Sequence, residues 1–149
     1  MELQPSREER VRASERQSSV HFEPPDLCVA VFVGDIDAPV MLRMNEQLRR
    51  AAGGLEHVFL LVDQSRAGAV TAEARRLSVE GTKDLNIADS AVVGASFHMR
   101  VIMSLAVRVV NLIRKKKVQL PGFFATEADA REYIAERRRI LFGDGAERH

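Results

Sequence analysis

Val92-Val93-Gly94-Ala95-Ser96-Phe97-His98-Met99-Arg100-Val101-Ile102-Met103-Ser104-Leu105 passes from an apolar run, through a glycine-containing turn, into residues of helical pattern. A strand that gives way directly to a helix is the unit from which α/β folds are built. The same junction recurs on both sides. Upstream, residues 27–33 form a continuous apolar run suited to a strand covered on both faces. Asp37 then caps a helix with Pro39 near its start, Met41, Met44, Leu48 and Ala51 as its stripe and Gly53-Gly54 as its stop. Residues 57–62 are the most strongly apolar strand candidate, ending in Asp63. The polar stretch 64–70, with Gly68, reads as a long turn, after which Thr71 caps a helix reaching about Asp84.

Residues 91–93 form the next strand, and a helix from Phe97 to about Lys115 is the longest element. Downstream, residues 122–125 read as a short strand, and Thr126 opens the last helix with Asp129 three residues on as a capping-box-like partner. Residues 20–23 form a short edge strand stopped by Pro24-Pro25. This alternation predicts an α/β domain over residues 20–142 with a mostly parallel sheet and right-handed crossovers. Residues 27–33 and 58–62 are expected in the sheet interior. Residues 1–19 mix four Arg with four Glu and few large apolar side chains, and 143–149 are similarly poor, so both read as flexible tails.

Composition narrows the function. A formal charge of +1 creates no overall field for nucleic acid, so no nucleic-acid partner is expected. The N-terminal segment has no apolar core and no 18-residue apolar run occurs, which points to a cytoplasmic protein. Cys28 lies inside an apolar strand and reads as an inert buried thiol.

Ser96 raises the question of a nucleophile. A hydrolase elbow reads G-x-S-x-G, and here His98 stands where the second glycine belongs. The base of such a triad follows the serine in the chain, yet after His98 the only histidine is His149. Ser96 is therefore read as a helix cap and no enzymatic activity is expected. No phosphate-binding glycine motif and no metal-ligand spacing are present, so neither cofactor nor metal is expected.

In a parallel sheet, strand C-termini and helix N-termini share one edge, where ligands bind. That edge is expected to collect Asp35, Asp37, Asp63, Ser65, Thr71, Ser96, His98 and Thr126, with Arg100 one turn into the long helix and Arg66 as the one cation of the 64–70 turn. From these, Asp63, Ser65, Arg66, Thr71, Ser96 and Arg100 are the candidate partner- or ligand-binding residues. The hydroxyls and aspartates also have a plainer reading as caps of turns and helices.

Val58-Phe59-Leu60-Leu61-Val62-Asp63-Gln64-Ser65, the following helix, Val92-Val93-Gly94, and Phe123-Phe124-Ala125-Thr126-Glu127-Ala128 together resemble a STAS-type domain. The closer similarity is to its SpoIIAA-like branch, which is itself similar to CRAL-TRIO lipid-binding domains. The resemblance spans about residues 27–139. It implies a four- to five-stranded mixed sheet with helices mainly on one face, and a non-enzymatic regulatory or protein-interaction role with a partner such as an anti-sigma factor or kinase. The alternative is a binder of a lipid or other small apolar anion. Anti-sigma antagonists of this family carry D-S-S-G at the helix start after the central strand, whereas this chain has Val70-Thr71-Ala72-Glu73. The serine switch does not carry over, and Thr71 is the one candidate phosphoacceptor there.

The long helix carries a stripe of Phe97, Val101, Leu105, Val109 and Leu112, widened by Ile102, Met103, Ala106, Val110 and Ile113. So broad an apolar surface suits either a helix wedged in the core or one that serves a partner or a second subunit, which makes a homodimer a candidate assembly. Arg114-Lys115-Lys116-Lys117 follows. The cluster complements the helix dipole, and it also suits peripheral contact with anionic lipid.

Overall fold

The apolar run at residues 27–33 needs cover on both faces and receives it. The computed structural model describes residues 6, 17–114 and 120–143. Its elements, in chain order, are β1 (Ser19–Glu23), β2 (Leu27–Ile36), α1 (Ala38–Ala52), β3 (Val58–Val70), α2 (Ala72–Thr82), β4 (Ile87–Val93), α3 (Phe97–Arg114), β5 (Gly122–Phe124) and α4 (Glu127–Phe142). The five strands form one sheet in sequential order. β1 is antiparallel to β2, and the remaining neighbours are parallel. The two strands with the longest apolar runs, β2 and β3, lie inside the sheet, as expected.

Sequential order among parallel strands means that every crossover advances the same way, so right-handed connections put successive helices on one face. Side chains of α1 (Met41, Met44), α2 (Ser78, Thr82) and α3 (Met99, Met103) accordingly line one common cavity. The period-2 alternation of β3 splits its run between the layers. Val58 and Leu60 pack with Leu48 and Ala52 of α1, while Phe59 and Leu61 pack with Ala130 and Ile134 of α4. Helices α1, α2 and α3 thus lie on one side of the sheet, with α1 packed directly on β1 and β2 and α2 packed on α1, and α4 covers the other face. Asp37, Thr71, Ser96 and Thr126 each cap a helix, accepting from the N–H of Val40, Ala74, Met99 and Asp129 at 3.1–3.2 Å. Cys28 is fully buried, and desolvation pushes its thiol up to about 11, so it stays protonated and inert.

Residues 64–70 are not the long turn expected from their polarity. β3 continues through them to Val70, paired with an equally extended β2: Arg66 lies opposite Val33, Ala67 opposite Gly34 and Val70 opposite Ile36. Two register shifts in this stretch and a bond from the Ala69 N–H to Asp35 Oδ1 (2.9 Å) accommodate the irregular sequence. The stretch still contributes to the core, where Val70 packs with the buried Ile36, Met41 and Ala74, while Ser65 and Arg66 are exposed. β4 also starts earlier than residue 91, at Ile87, and includes the buried Asp89. At the other end, the buried Ser18 hydroxyl accepts from the Val33 N–H (2.9 Å), anchoring the chain just ahead of β1. The rest of the expected tails, residues 1–5, 7–16 and 144–149, and Lys115, Lys116 and Lys117 of the basic cluster lie outside the described residues.

Candidate functional site

The C-terminal edge of the sheet is stepped. The β3–β4 ladder ends where Asp63 faces Val93, but the β2–β3 ladder goes on to Val70 and Ile36, so β2 and β3 project past β4 as a two-stranded ribbon. At the step, Asp63 Oδ1 accepts both the N–H (2.9 Å) and the hydroxyl (2.6 Å) of Ser65. Gly94, in the left-handed region at φ +71°, packs so closely here that a Cβ on it would stand 2.7 Å from Ser65 Cα. That approach sets the turn carrying Ser96 against β3. One turn into α3, the Arg100 guanidinium lies 5.8 Å from the centre of the Phe123 ring on β5.

The six candidate residues therefore fall into two groups. Asp63 and Ser65 lie within β3 at the step, while Ser96 and Arg100 follow the end of β4, Arg100 reaching to Phe123 of β5. Arg66 and Thr71 belong to the ribbon and its exit, where the Thr71 N–H donates to Ile36 O at 3.1 Å. Ser65, Arg66 and Thr71 are exposed. Of the three aspartates expected after strands only Asp37 follows one, because β2 and β3 run on through Asp35 and Asp63. All three are engaged locally: Asp35 with Ala69, Asp37 at the α1 cap and Asp63 with Ser65. Their positions are explained by turn and cap geometry, without a ligand.

Between the helical layer and the sheet lies an apolar cavity of about 220 Å³, walled by Phe32, Leu60, Val62 and Val92 from the sheet and by four methionines from α1 and α3. Arg75 of α2 reaches its wall, where its Nη1 donates to Val70 O at 3.0 Å. The cavity exists because α3 sits apart, with only sparse contacts to the other elements among the described residues. Its stripe of Phe97, Val101, Leu105, Val109 and Leu112 faces solvent, which answers the question of which way this helix turns.

The opposite edge of the sheet carries a polar arrangement not anticipated from the sequence. Buried Asp26 accepts from Arg138 (Nη2 to Oδ1 at 2.6 Å) and pairs with His57 Nε2 at 3.0 Å. Buried Asp89 accepts from Arg137 Nε (2.7 Å) and the Tyr133 hydroxyl (2.8 Å). Glu23 takes a two-pronged bond from Arg131 at 2.7 and 2.8 Å, which holds its carboxyl down at about 2 against the opposing effect of burial. These three pairs clamp α4 onto the sheet. One signal was available: an aspartate within the strand Ile87-Ala88-Asp89-Ser90-Ala91 demands a cation, and α4 is rich in arginine. The Asp26–His57 pair has the look of a catalytic dyad. It precedes β3, however, whereas Ser96 follows β4, so the two sit at opposite ends of parallel strands.

No family model and no curated protein matches the chain. Among solved structures it is similar to an uncharacterised protein of the DUF3478 family with a SpoIIAA-like fold from Shewanella loihica PV-4. The match has a TM-score of 0.52 at 17% identity and covers 78% of this chain and 90% of that one. The five-stranded mixed sheet and its helices have a SpoIIAA-like fold.

Proposed function

We propose that this SpoIIAA-like domain is a non-catalytic protein-interaction module of regulatory type, whose partner binds at the stepped edge of the sheet. The observation that carries this reading is the ribbon of β2 and β3 running past the end of β4. A strand that outruns its neighbour beside two helix starts offers backbone groups, exposed side chains and a rigid base in one place. Arg66 supplies a cation on that surface and Thr71 a hydroxyl at the α2 cap, with Glu73 already in the first turn. A phosphate on Thr71 would meet both the favourable helix dipole and the repulsion of Glu73, so its effect would be graded. The regulatory partner suggested by the resemblance is an anti-sigma factor or kinase.

The test is to install a photo-crosslinking residue at Gln64, identify the protein captured and measure its affinity for purified variants. Arg66→Glu is expected to weaken binding at least fivefold and Thr71→Asp by a smaller factor, with circular dichroism unchanged (about 1 kcal/mol for the charge reversal). Unchanged affinity in both folded variants would move the binding surface elsewhere.

The cavity favours a second reading, a small apolar ligand whose anionic end reaches Arg75. Native mass spectrometry of the purified chain showing a bound lipid or fatty acid, lost in Leu60→Trp, would support it.

A further inference from the structure

The apolar residues of α3 recur at three- and four-residue spacing and share one side of the helix. That side is turned away from the protein: Phe97 is 81% exposed, Leu112 82% and Ile113 73%, with Val101, Leu105 and Val109 also exposed. The opposite side contributes Met99 and Met103 to the cavity wall. Six apolar side chains thus lie exposed along one side of a single helix, a contiguous patch of the kind that marks an interaction site. An apolar face of this size needs an occupant.

Charge selects among the occupants. From Phe97 to Arg114 the helix contains three arginines, Arg100, Arg108 and Arg114, and no aspartate or glutamate. Arg108 is exposed on the same side as Phe97, Val101 and Leu112. A second copy packed on this face would bring its own Arg108 on a helix that has no carboxylate to meet it. A nucleic acid would meet the cation but bury a row of aliphatic side chains against phosphate and sugar, with rings for base stacking only at Phe97 and His98, both at the helix start. An anionic bilayer answers both features at once: the aliphatic chains enter the acyl boundary and Arg108 stays among the headgroup phosphates. Among the described residues no helix is long and apolar enough to cross a membrane, so the contact is with the surface. Lys115, Lys116 and Lys117 come next in the sequence.

We infer that α3 is an interfacial helix whose outward face, Phe97, Val101, Leu105, Val109, Leu112 and Ile113 with Arg108 among them, docks this protein on an anionic membrane surface. This surface is separate from the stepped edge proposed for the protein partner, and it stands whether or not that partner site does.

The experiment is sedimentation of the whole chain with vesicles of phosphatidylcholine alone or with about 30% phosphatidylserine. Binding is expected only to the anionic vesicles, and raising salt from about 0.1 to 0.5 M should weaken it severalfold. Arg108→Glu should reduce the partition coefficient at least fivefold, and Leu105→Asp with Leu112→Asp at least tenfold (each about 1 kcal/mol or more of binding). Leu42→Asp, an exposed leucine on α1, should bind like the original. Circular dichroism checks each fold, and Arg108→Glu serves if the double variant does not fold. Failure of the original chain to bind anionic vesicles would overturn the inference. So would a dimer in analytical ultracentrifugation that Arg108→Glu leaves intact and Leu105→Asp with Leu112→Asp splits, since the face would then belong to a second copy.

Discussion

Gly94 and Gly34 share the same backbone conformation, φ +71°, but not the same surroundings, and the pair isolates what holds the stepped edge together. Replacing either by alanine puts a Cβ into the left-handed region, at about 1–2 kcal/mol, partly offset by about 0.4–1 kcal/mol of entropy removed from the unfolded chain. At Gly34 nothing lies within 4 Å of the new methyl, so Gly34→Ala carries only that net cost. At Gly94 the methyl would stand 2.7 Å from Ser65 Cα and Cβ and 2.9 Å from its N. Ordinary carbon–carbon contact is about 3.5–4.0 Å, and the obstruction is mostly backbone, which has no rotamer to change. Relief requires the turn after β4 to move away from β3 by most of an ångström at the last rung, Asp63 against Val93. Overpacking of this kind adds about 1–3 kcal/mol. Gly94→Ala should therefore lose about 2–4 kcal/mol in all and Gly34→Ala about 1 kcal/mol, against a total near 5–15 kcal/mol for a domain of this kind. Urea unfolding followed by circular dichroism at constant m reads the difference as a shift in midpoint. Equal midpoints for the two variants would refute the close approach of Gly94 to Ser65, and with it the description of the step.

Leu61→Asp puts an unpaired carboxylate among Val29, Phe59 and Ile134 and should cost several kcal/mol (about 3–5); a cooperative melt little below the original would reject the placement of β3 between the two helical layers. Ser96→Ala removes the hydroxyl that accepts from the Met99 N–H and should lose about 0.5–2 kcal/mol. A fluorophosphonate probe that labels Ser96, with an esterase activity that dies in the alanine variant, would restore the nucleophile reading. Glu23, ordinarily near 4.5, is held at about 2 by the Arg131 hydrogen bonds, so its contribution is complete above pH 4.5 and is lost as pH falls toward 2. Solvent reaches the pair, and about 1 kcal/mol is the discounted size. Glu23→Gln should accordingly be less stable than the original near neutral pH and indistinguishable from it near pH 2; a gap independent of pH would contradict the ion pair.

The local layer of this protein is written in its sequence. Asp37, Thr71, Ser96 and Thr126 cap their helices because a short polar side chain before an apolar stripe meets free N–H groups wherever it falls, and the apolar runs at 27–33 and 58–62 become inner strands because nothing else can cover both their faces. The resemblance carried by residues 58–65, 92–94 and 123–128 led to the SpoIIAA-like fold for the same reason: it rests on patterns that the core requires. Three features were decided only by tertiary structure. Residues 64–70 are strand because an extended β2 lies beside them, and a polar sequence cannot announce a partner that distant in the chain. The arginines of α4 became clamps because the fold buries Asp26 and Asp89 beneath them, whereas an arginine on a helix ordinarily signals only a solvated face. The α3 stripe is equally apolar whether it points in or out, and hydrophobic periodicity reports that a face exists without its direction. That direction is set by how the fold places the helix, which turns Met99 and Met103 toward the cavity and the wider stripe outward.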